Sequence, residues 1–187
     1  MATVAQLVQD VSKVMAEKPE TVNAYARALI KSGDLPKSRG RAIAHVGFDH
    51  IVKLFLAVVL APKVKDTAEV VSAYYHMRRN GVKPDFPQSL QGRAGEQFCD
   101  FVRAIYRPAG GDKDWLKTLI NAQILFVLNW PEIEIDLGDG RSILFKEGGR
   151  RDGWDGYHKH CVILSGHAFC MAGKLETNLK EMQGSPP

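Results

Sequence analysis

Cysteine is scarce in this sequence, and long apolar runs and a secretory signal are missing. Three cysteines stand among 187 residues, which is too few for a disulfide framework and favours a reducing setting. The longest uncharged apolar run, residues 54–62, is far shorter than the ~20 residues of a membrane-spanning helix. Residues 1–5 lack the basic and apolar segments of a signal peptide. We therefore expect a cytoplasmic protein with no membrane partner.

Motifs of the common enzyme classes are also missing. The chain has no phosphate-binding loop, no dinucleotide fingerprint, no nucleophile motif around Ser or Cys, and no metalloprotease motif. An enzyme hypothesis would depend on acids and histidines of the second half that can transfer protons, namely Asp152, Asp155, His158, His160, Glu132 and Glu134. Because Glu132, Glu134 and Asp136 alternate, they are typical of the solvated face of a strand. We therefore do not expect an enzyme.

Histidine and cysteine cluster within thirteen residues of the second half, at His158, His160, Cys161, His167 and Cys170. These residue types bind zinc when their geometry converges, but the spacing matches no standard zinc finger. On a strand, His158 and His160 point to one face and Cys161 points to the other. The alternative is a half-buried strand and helix in which Cys packs as a small apolar residue. We expect this second arrangement, with no metal and no other cofactor.

Positive charge is concentrated in the N-terminal third of the chain. Residues 1–65 contain seven Lys and three Arg against five Asp or Glu, a net charge of +5, whereas the remainder has a net charge of −1. Such an asymmetry is typical of a nucleic-acid-binding module joined to a neutral one.

Three helices are predicted in this basic third, over residues 4–16, 20–32 and 48–61. Thr3 and Gln6 have the spacing of a capping box at the first helix, and Gly33 suits the left-handed cap after the second. Residues 34–47 are basic and rich in turn formers, which predicts an exposed loop that leads into a short strand. The third helix is apolar on nearly all sides and should therefore be buried.

The remainder predicts an α+β fold with a small antiparallel sheet and flanking helices. Helices are predicted over residues 67–79, 93–106, 112–121 and 167–182. Residues 124–130 form a compact apolar run. Strands are predicted over residues 132–137, 141–145 and 158–164, with a hairpin turn at residues 138–140. Residues 80–89 break all periodicity, so they are the candidate linker between a domain over 1–80 and a second domain over 90–183.

The N-terminal third resembles a known DNA-binding family. Residues 21–36 begin with Thr21, contain a central Tyr25 and Arg27, and continue through a Gly-Asp-Leu-Pro turn into a basic loop. In this they resemble the recognition helix and exit turn of MerR-like winged helix-turn-helix regulators, over about residues 1–62. The resemblance implies a winged helix-turn-helix layout whose wing carries Lys37, Arg39 and Arg41.

The polar face of the second helix has the chemistry of a recognition helix. Asn23 can pair with adenine through two hydrogen bonds, and Arg27 can pair with guanine or hold a phosphate. A recognition helix also needs an uncluttered face that enters the major groove. The candidate DNA-binding residues are Thr21, Asn23, Ala24, Arg27, Lys31, Lys37, Ser38, Arg39 and Arg41.

We therefore expect a sequence-specific transcriptional regulator of a bacterium or phage that binds double-stranded DNA as a homodimer, since one small head recognises few base pairs. One alternative is a phage packaging or replication accessory protein that shares the DNA-binding head and forms a larger ring. Another is a protein-interaction module or inhibitor that does not bind DNA. The mass in solution separates the first two, and affinity for DNA separates both from the third.

Overall fold

The first two helices begin and end where the local sequence predicts. The computed structural model describes residues 3–38, 44–79, 92–104, 117–118, 120–138, 140–146, 160–166 and 168. Helix α1 spans Val4–Met15, and both bonds of the Thr3–Gln6 capping box are present. Helix α2 spans Pro19–Ser32 and ends at Gly33, whose φ of 89° lies in the left-handed region that glycine adopts without strain.

Helix α3, over Phe48–Leu60, is the buried centre of the helical part. Every residue from 51 to 60 except Lys53 is buried, so the prediction that this helix is buried is confirmed. A 3-10 turn over Val64–Asp66 follows, and then α4 over Thr67–Tyr75. Helix α5 spans Ala94–Ala104, and α2, α4 and α5 all pack against α3.

Five antiparallel strands form one sheet in the described part of the chain, the first before α5 and the other four after it, which confirms the α+β class. The strands are β1 over Arg78–Arg79, β2 over Gln123–Val127, β3 over Glu132–Asp136, β4 over Ser142–Lys146 and β5 over Cys161–Ser165. Their order across the sheet is β1-β4-β3-β2-β5. The turn between β3 and β4 uses Gly138 and Gly140, which have φ of 75° and 84°, so the predicted hairpin is confirmed.

One face of the sheet belongs to the same hydrophobic core as the helices. Alternate residues such as Ile124, Phe126, Ile133 and Phe145 are buried there, as the period-2 pattern of a half-covered strand requires. The ring centroid of Phe126 lies 5.8 Å from that of Phe98 in α5. The strands and the helices are therefore held together by apolar packing.

The predicted helix over residues 67–79 is too long, because α4 ends at Tyr75. Arg78 and Arg79 instead form β1, opposite Lys146 and Phe145 of β4. This pairing joins segments that are far apart in sequence, so no local pattern indicates it. Since β1 precedes residue 80 and β4 follows it, the two predicted domains share a sheet, and the boundary between them stays a prediction.

The prediction that Glu132 is solvated is wrong. Glu132 is 4% exposed, whereas Asp136 on the same face is exposed as predicted. The strand register places Glu132 opposite Lys146, whose Nζ lies 3.9 Å from the Glu132 carboxylate. A buried carboxylate normally needs such a cation or hydrogen-bond donors.

Several predicted elements lie largely or wholly outside the described residues. These are the linker over 80–89, most of the helix over 112–121 and nearly all of the helix over 167–182. None of the described helices is long and apolar enough to cross a bilayer.

Candidate nucleic-acid interface

Helix α2 has one face that is fixed in the core and one that is exposed. Val22, Tyr25, Ala26 and Leu29 are buried, whereas Arg27 and Lys31 are exposed. The hydroxyl of Tyr25 donates a hydrogen bond to the carbonyl oxygen of Pro62, at 3.2 Å, and so ties α2 to the chain just after α3. These contacts determine which face of α2 a ligand can reach.

A groove of about 630 Å³ lies between α2 and the start of α4. Ala24 and Ala28 of α2 and Val64 and Ala68 on the opposite side give it apolar walls. Three cationic side chains also line it, and these are Arg27, Lys31 and Lys65. The alanine side chains are small, so they leave room for a ligand to approach α2 on this side. We call this feature the basic groove.

The described part of the chain does not neutralise the three cations of the basic groove. Within the described part of the chain, no carboxylate forms an ion pair with Arg27, Lys31 or Lys65. The Nζ atom of Lys53, by contrast, lies 3.2 Å from a carboxylate oxygen of Asp34 and 3.1 Å from a carboxylate oxygen of Asp49. Unpaired cations that surround one concave surface attract an anionic ligand without first breaking internal ion pairs.

Only some of the predicted site residues lie together around the basic groove. Ala24, Arg27 and Lys31 line the basic groove together. Thr21 and Asn23 are half-buried and do not line the groove. Because they are two positions apart on a helix, their side chains point to different sides of α2. Lys65 was not among the predicted site residues, although it lies only three residues after Pro62, which ends the predicted third helix.

The loop between α2 and α3 is described only at its two ends. Lys37 is exposed, and Ser38 accepts a hydrogen bond at 3.1 Å from the backbone N–H of Ala44, which draws the ends of the loop together. His45 then forms an isolated antiparallel bridge with Thr3, where a short strand was predicted. Arg39 and Arg41, the other predicted loop residues, lie outside the described residues.

A network of polar side chains holds the C-terminal end of α2 against the other helices. Lys53 of α3 bridges Asp34, just after α2, and Asp49 of α3. Its ammonium lies 5.2 Å from the ring centroid of Tyr75 in α4, and the Tyr75 hydroxyl donates a hydrogen bond to Asp49. The Tyr75 oxygen is also 3.9 Å from Cys99 Sγ of α5. We call this set the Lys53 network.

The Lys53 network favours ionised Asp49 and neutral Tyr75. Burial raises the pKa of Asp49, but hydrogen bonds from Tyr75 and Lys53 outweigh burial, so that its pKa is lowered. Burial and the bond to Asp49 raise the pKa of Tyr75. Burial also raises the pKa of Tyr74 to about 12, and it lowers the pKa of His50 and of His76.

These shifts predict that the free energy of unfolding falls at both extremes of pH. At pH values between the lowered pKa in the folded state and the ordinary value of 6.5, His50 and His76 bind protons in the unfolded chain but not in the folded chain. Acidification through this range therefore destabilises the fold. Above the ordinary value of 10.0, unfolded Tyr74 and Tyr75 release protons that the folded chain retains, so alkali destabilises it too. Urea denaturation across a pH series measures both effects. A Tyr75→Phe variant should lose stability less steeply in alkali, and equal alkaline slopes would contradict the assignment.

The histidine and cysteine cluster is described only at His160 and Cys161. The backbone N–H of His160 donates a hydrogen bond to the Asn129 side chain at 3.0 Å, and Cys161 is an exposed free thiol. Among the described residues, no three His, Cys, Asp or Glu side chains are placed to hold a metal ion. His158, His167 and Cys170 lie outside the described residues.

Comparison with known proteins gives no relative from which a function could be transferred. Neither the protein-family models, nor the curated proteins, nor the solved structures contain a match to this chain.

Proposed function

We propose that this chain is a sequence-specific DNA-binding regulator that contacts double-stranded DNA through α2 and the basic groove. One observation carries the proposal: Arg27, Lys31 and Lys65, none of them paired within the described chain, line a single groove beside the exposed face of α2. The net charge of +5 over residues 1–65 supports it, because the field around this part of the chain attracts a polyanion.

The basic groove suits a phosphodiester backbone in charge and shape. Lys31 and Lys65 provide ammonium groups for phosphate oxygens, and Arg27 provides a planar guanidinium that can bind two oxygens at once. Ala24 and Ala28 allow the sugar-phosphate chain to pack against α2. Phosphate contacts of this kind supply affinity and fix the orientation of the protein on the duplex, but they carry no sequence information.

Base recognition is assigned to the N-terminal half of α2 and to the loop after it. Asn23 has the side chain that pairs with adenine, and Thr21 lies in the first turn of the same helix. In a winged helix-turn-helix layout, the loop with Lys37, Ser38, Arg39 and Arg41 forms the wing and contacts the backbone or a minor groove. The tight turn between α1 and α2 and the buried face of α2 support this layout.

A duplex-DNA titration over a series of salt concentrations tests the proposal. Each neutralised phosphate contributes a slope of about −0.9 to log K against log salt, so three contacts predict a slope near −3 or steeper. Lys65→Ala should reduce the slope by about one for every sequence, whereas Asn23→Ala should reduce discrimination between sequences. No affinity for DNA at low salt would contradict the proposal.

A protein-interaction module is the second candidate, because the walls of the basic groove are apolar. Ala24, Ala28, Val64 and Ala68 can pack against an apolar stripe, and Val64 is 49% exposed. An acidic amphipathic helix would combine that stripe with carboxylates for the three cations. Such a partner would compete with DNA for the groove. Binding of an acidic helical peptide together with no binding of duplex DNA would favour this candidate.

A further inference from the structure

Within the described sheet, strand β5 is an edge strand, and its own sequence lacks the usual protection of an edge. Among the described strands it pairs with β2 alone. Its sequence, Cys-Val-Ile-Leu-Ser, contains no charged residue and no proline, which are the devices that normally prevent an edge from pairing with another chain. Ile163 at its centre is 63% exposed, more than any other large apolar side chain of the described chain.

The hydrogen bonds beside β5 show which of its backbone groups face outward. At one end the N–H of Gly166 donates to the carbonyl of Ala122, and at the other the N–H of Leu128 donates to the carbonyl of His160. In an antiparallel ladder the residues that bond to one neighbour alternate with those that bond to the other. Even-numbered residues of β5 therefore bond to β2. The N–H and C=O groups of Cys161, Ile163 and Ser165 point to the free edge.

We infer that β5 pairs with β5 of a second copy of this chain, antiparallel and centred on Ile163. In this register Ile163 lies opposite the partner's Ile163, and Cys161 lies opposite the partner's Ser165. Each outward N–H then meets an outward C=O, which gives about six hydrogen bonds between the two strands. The two sheets become one continuous sheet across a two-fold axis.

A second copy suits this edge because the edge is complementary to itself. No like charges meet across the two-fold axis, and like charges opposite each other would destabilise a strand pair. The side chains of Ile163 and Leu125 are neighbours on the open face of the sheet, so pairing extends a short apolar stripe across both copies. The inference does not depend on DNA binding, because no residue of β5 lines the basic groove.

The mass in solution and a substitution at Ile163 test whether the edge of β5 is the interface between two copies. We expect the wild type to sediment as a dimer and Ile163→Lys to weaken dimerisation by about tenfold or more, because the two-fold axis would bring two ammonium groups together. Leu128→Lys is the matched control, since Leu128 is 40% exposed in the turn after β2, and it should leave the dimer intact. A monomeric wild type, or an Ile163→Lys variant that stays dimeric, would overturn the inference.

A disulfide tests the register. In the inferred dimer, Ser165→Cys places a thiol opposite the partner's Cys161 at a separation that a disulfide can span. Within one chain, positions 161 and 165 lie about 13 Å apart along the strand and cannot be bridged. Mild oxidation should therefore give far more covalent dimer with Ser165→Cys than with the wild type or with Ser142→Cys, an exposed position on β4. Equal yields from Ser165→Cys and Ser142→Cys would overturn the register.

Discussion

Replacing Gly95 with alanine is expected to destabilise the fold by about 3 kcal/mol, the upper range for an overpacked core. A Cβ atom on Gly95 would overlap the ring of Tyr75. The ring cannot retreat freely, because its hydroxyl is bonded to Asp49 and Lys53 lies over its face. Alanine must therefore either push α5 away from α4 or break the Lys53 network. Thermal unfolding measures the effect, and a loss of this size lowers the midpoint by roughly 10 °C in a domain of this length.

Gly92→Ala is the matched control for this prediction. Gly92 lies three residues before Gly95, and a Cβ atom there would meet nothing within 4 Å. We expect its unfolding midpoint to stay close to that of the wild type. If both alanine variants unfold at the same temperature, the close packing of α5 on Tyr75 is not a feature of the folded protein.

Reversing the charge of the three groove cations is expected to reduce affinity for duplex DNA by at least about a hundredfold at moderate salt. A hydrogen bond to a charged group is worth roughly 1.5–3 kcal/mol. The loss of three such contacts to phosphate would therefore reduce the affinity by more than a hundredfold. Repulsion between the new carboxylates and the phosphates would reduce it further. The variant is Arg27→Glu, Lys31→Glu and Lys65→Glu. Fluorescence anisotropy with a labelled duplex measures the loss, and circular dichroism verifies that the helices persist.

A control variant with the same change in net charge distinguishes the effect of the groove cations on DNA affinity from the effect of the total charge. Lys13, Lys18 and Arg79 are exposed and do not line the groove, so Lys13→Glu, Lys18→Glu and Arg79→Glu alter the overall field by the same amount. This control should bind DNA much more tightly than the groove variant. Equal losses in the two variants would mean that DNA senses only the total charge and that the groove has no particular role.

Local sequence patterns predict the elements that local interactions determine. The Thr3–Gln6 pair, the left-handed cap at Gly33 and the alternation of Ile133 and Ile135 each depend on atoms a few residues apart, and all three were predictable. The same holds for the unbroken apolar surface of α3. The α+β class followed because these elements occur in separate parts of the chain.

Features that depend on distant pairs could not be predicted in this way. The strand β1 exists because Arg78 meets Lys146 across the sheet, and nothing near Arg78 indicates that partner. In the Lys53 network only Asp49 shows the four-residue spacing of a helical ion pair, whereas Asp34 and Tyr75 are brought in by the packing of α2 and α4. Lys65 enters the basic groove for the same reason, since its place beside Arg27 follows from where α3 ends.

Mapping DNA contacts onto the backbone amides by nuclear magnetic resonance tests the central claim most directly. A duplex that binds should be titrated into the labelled wild-type protein while the amide shifts are followed. We predict that the largest changes occur at Ala24, Arg27, Ala28 and Lys31 of α2 and at Val64 and Lys65 across the groove. Changes confined to the sheet, or no changes when duplex is in excess, would contradict DNA binding through α2 and the basic groove.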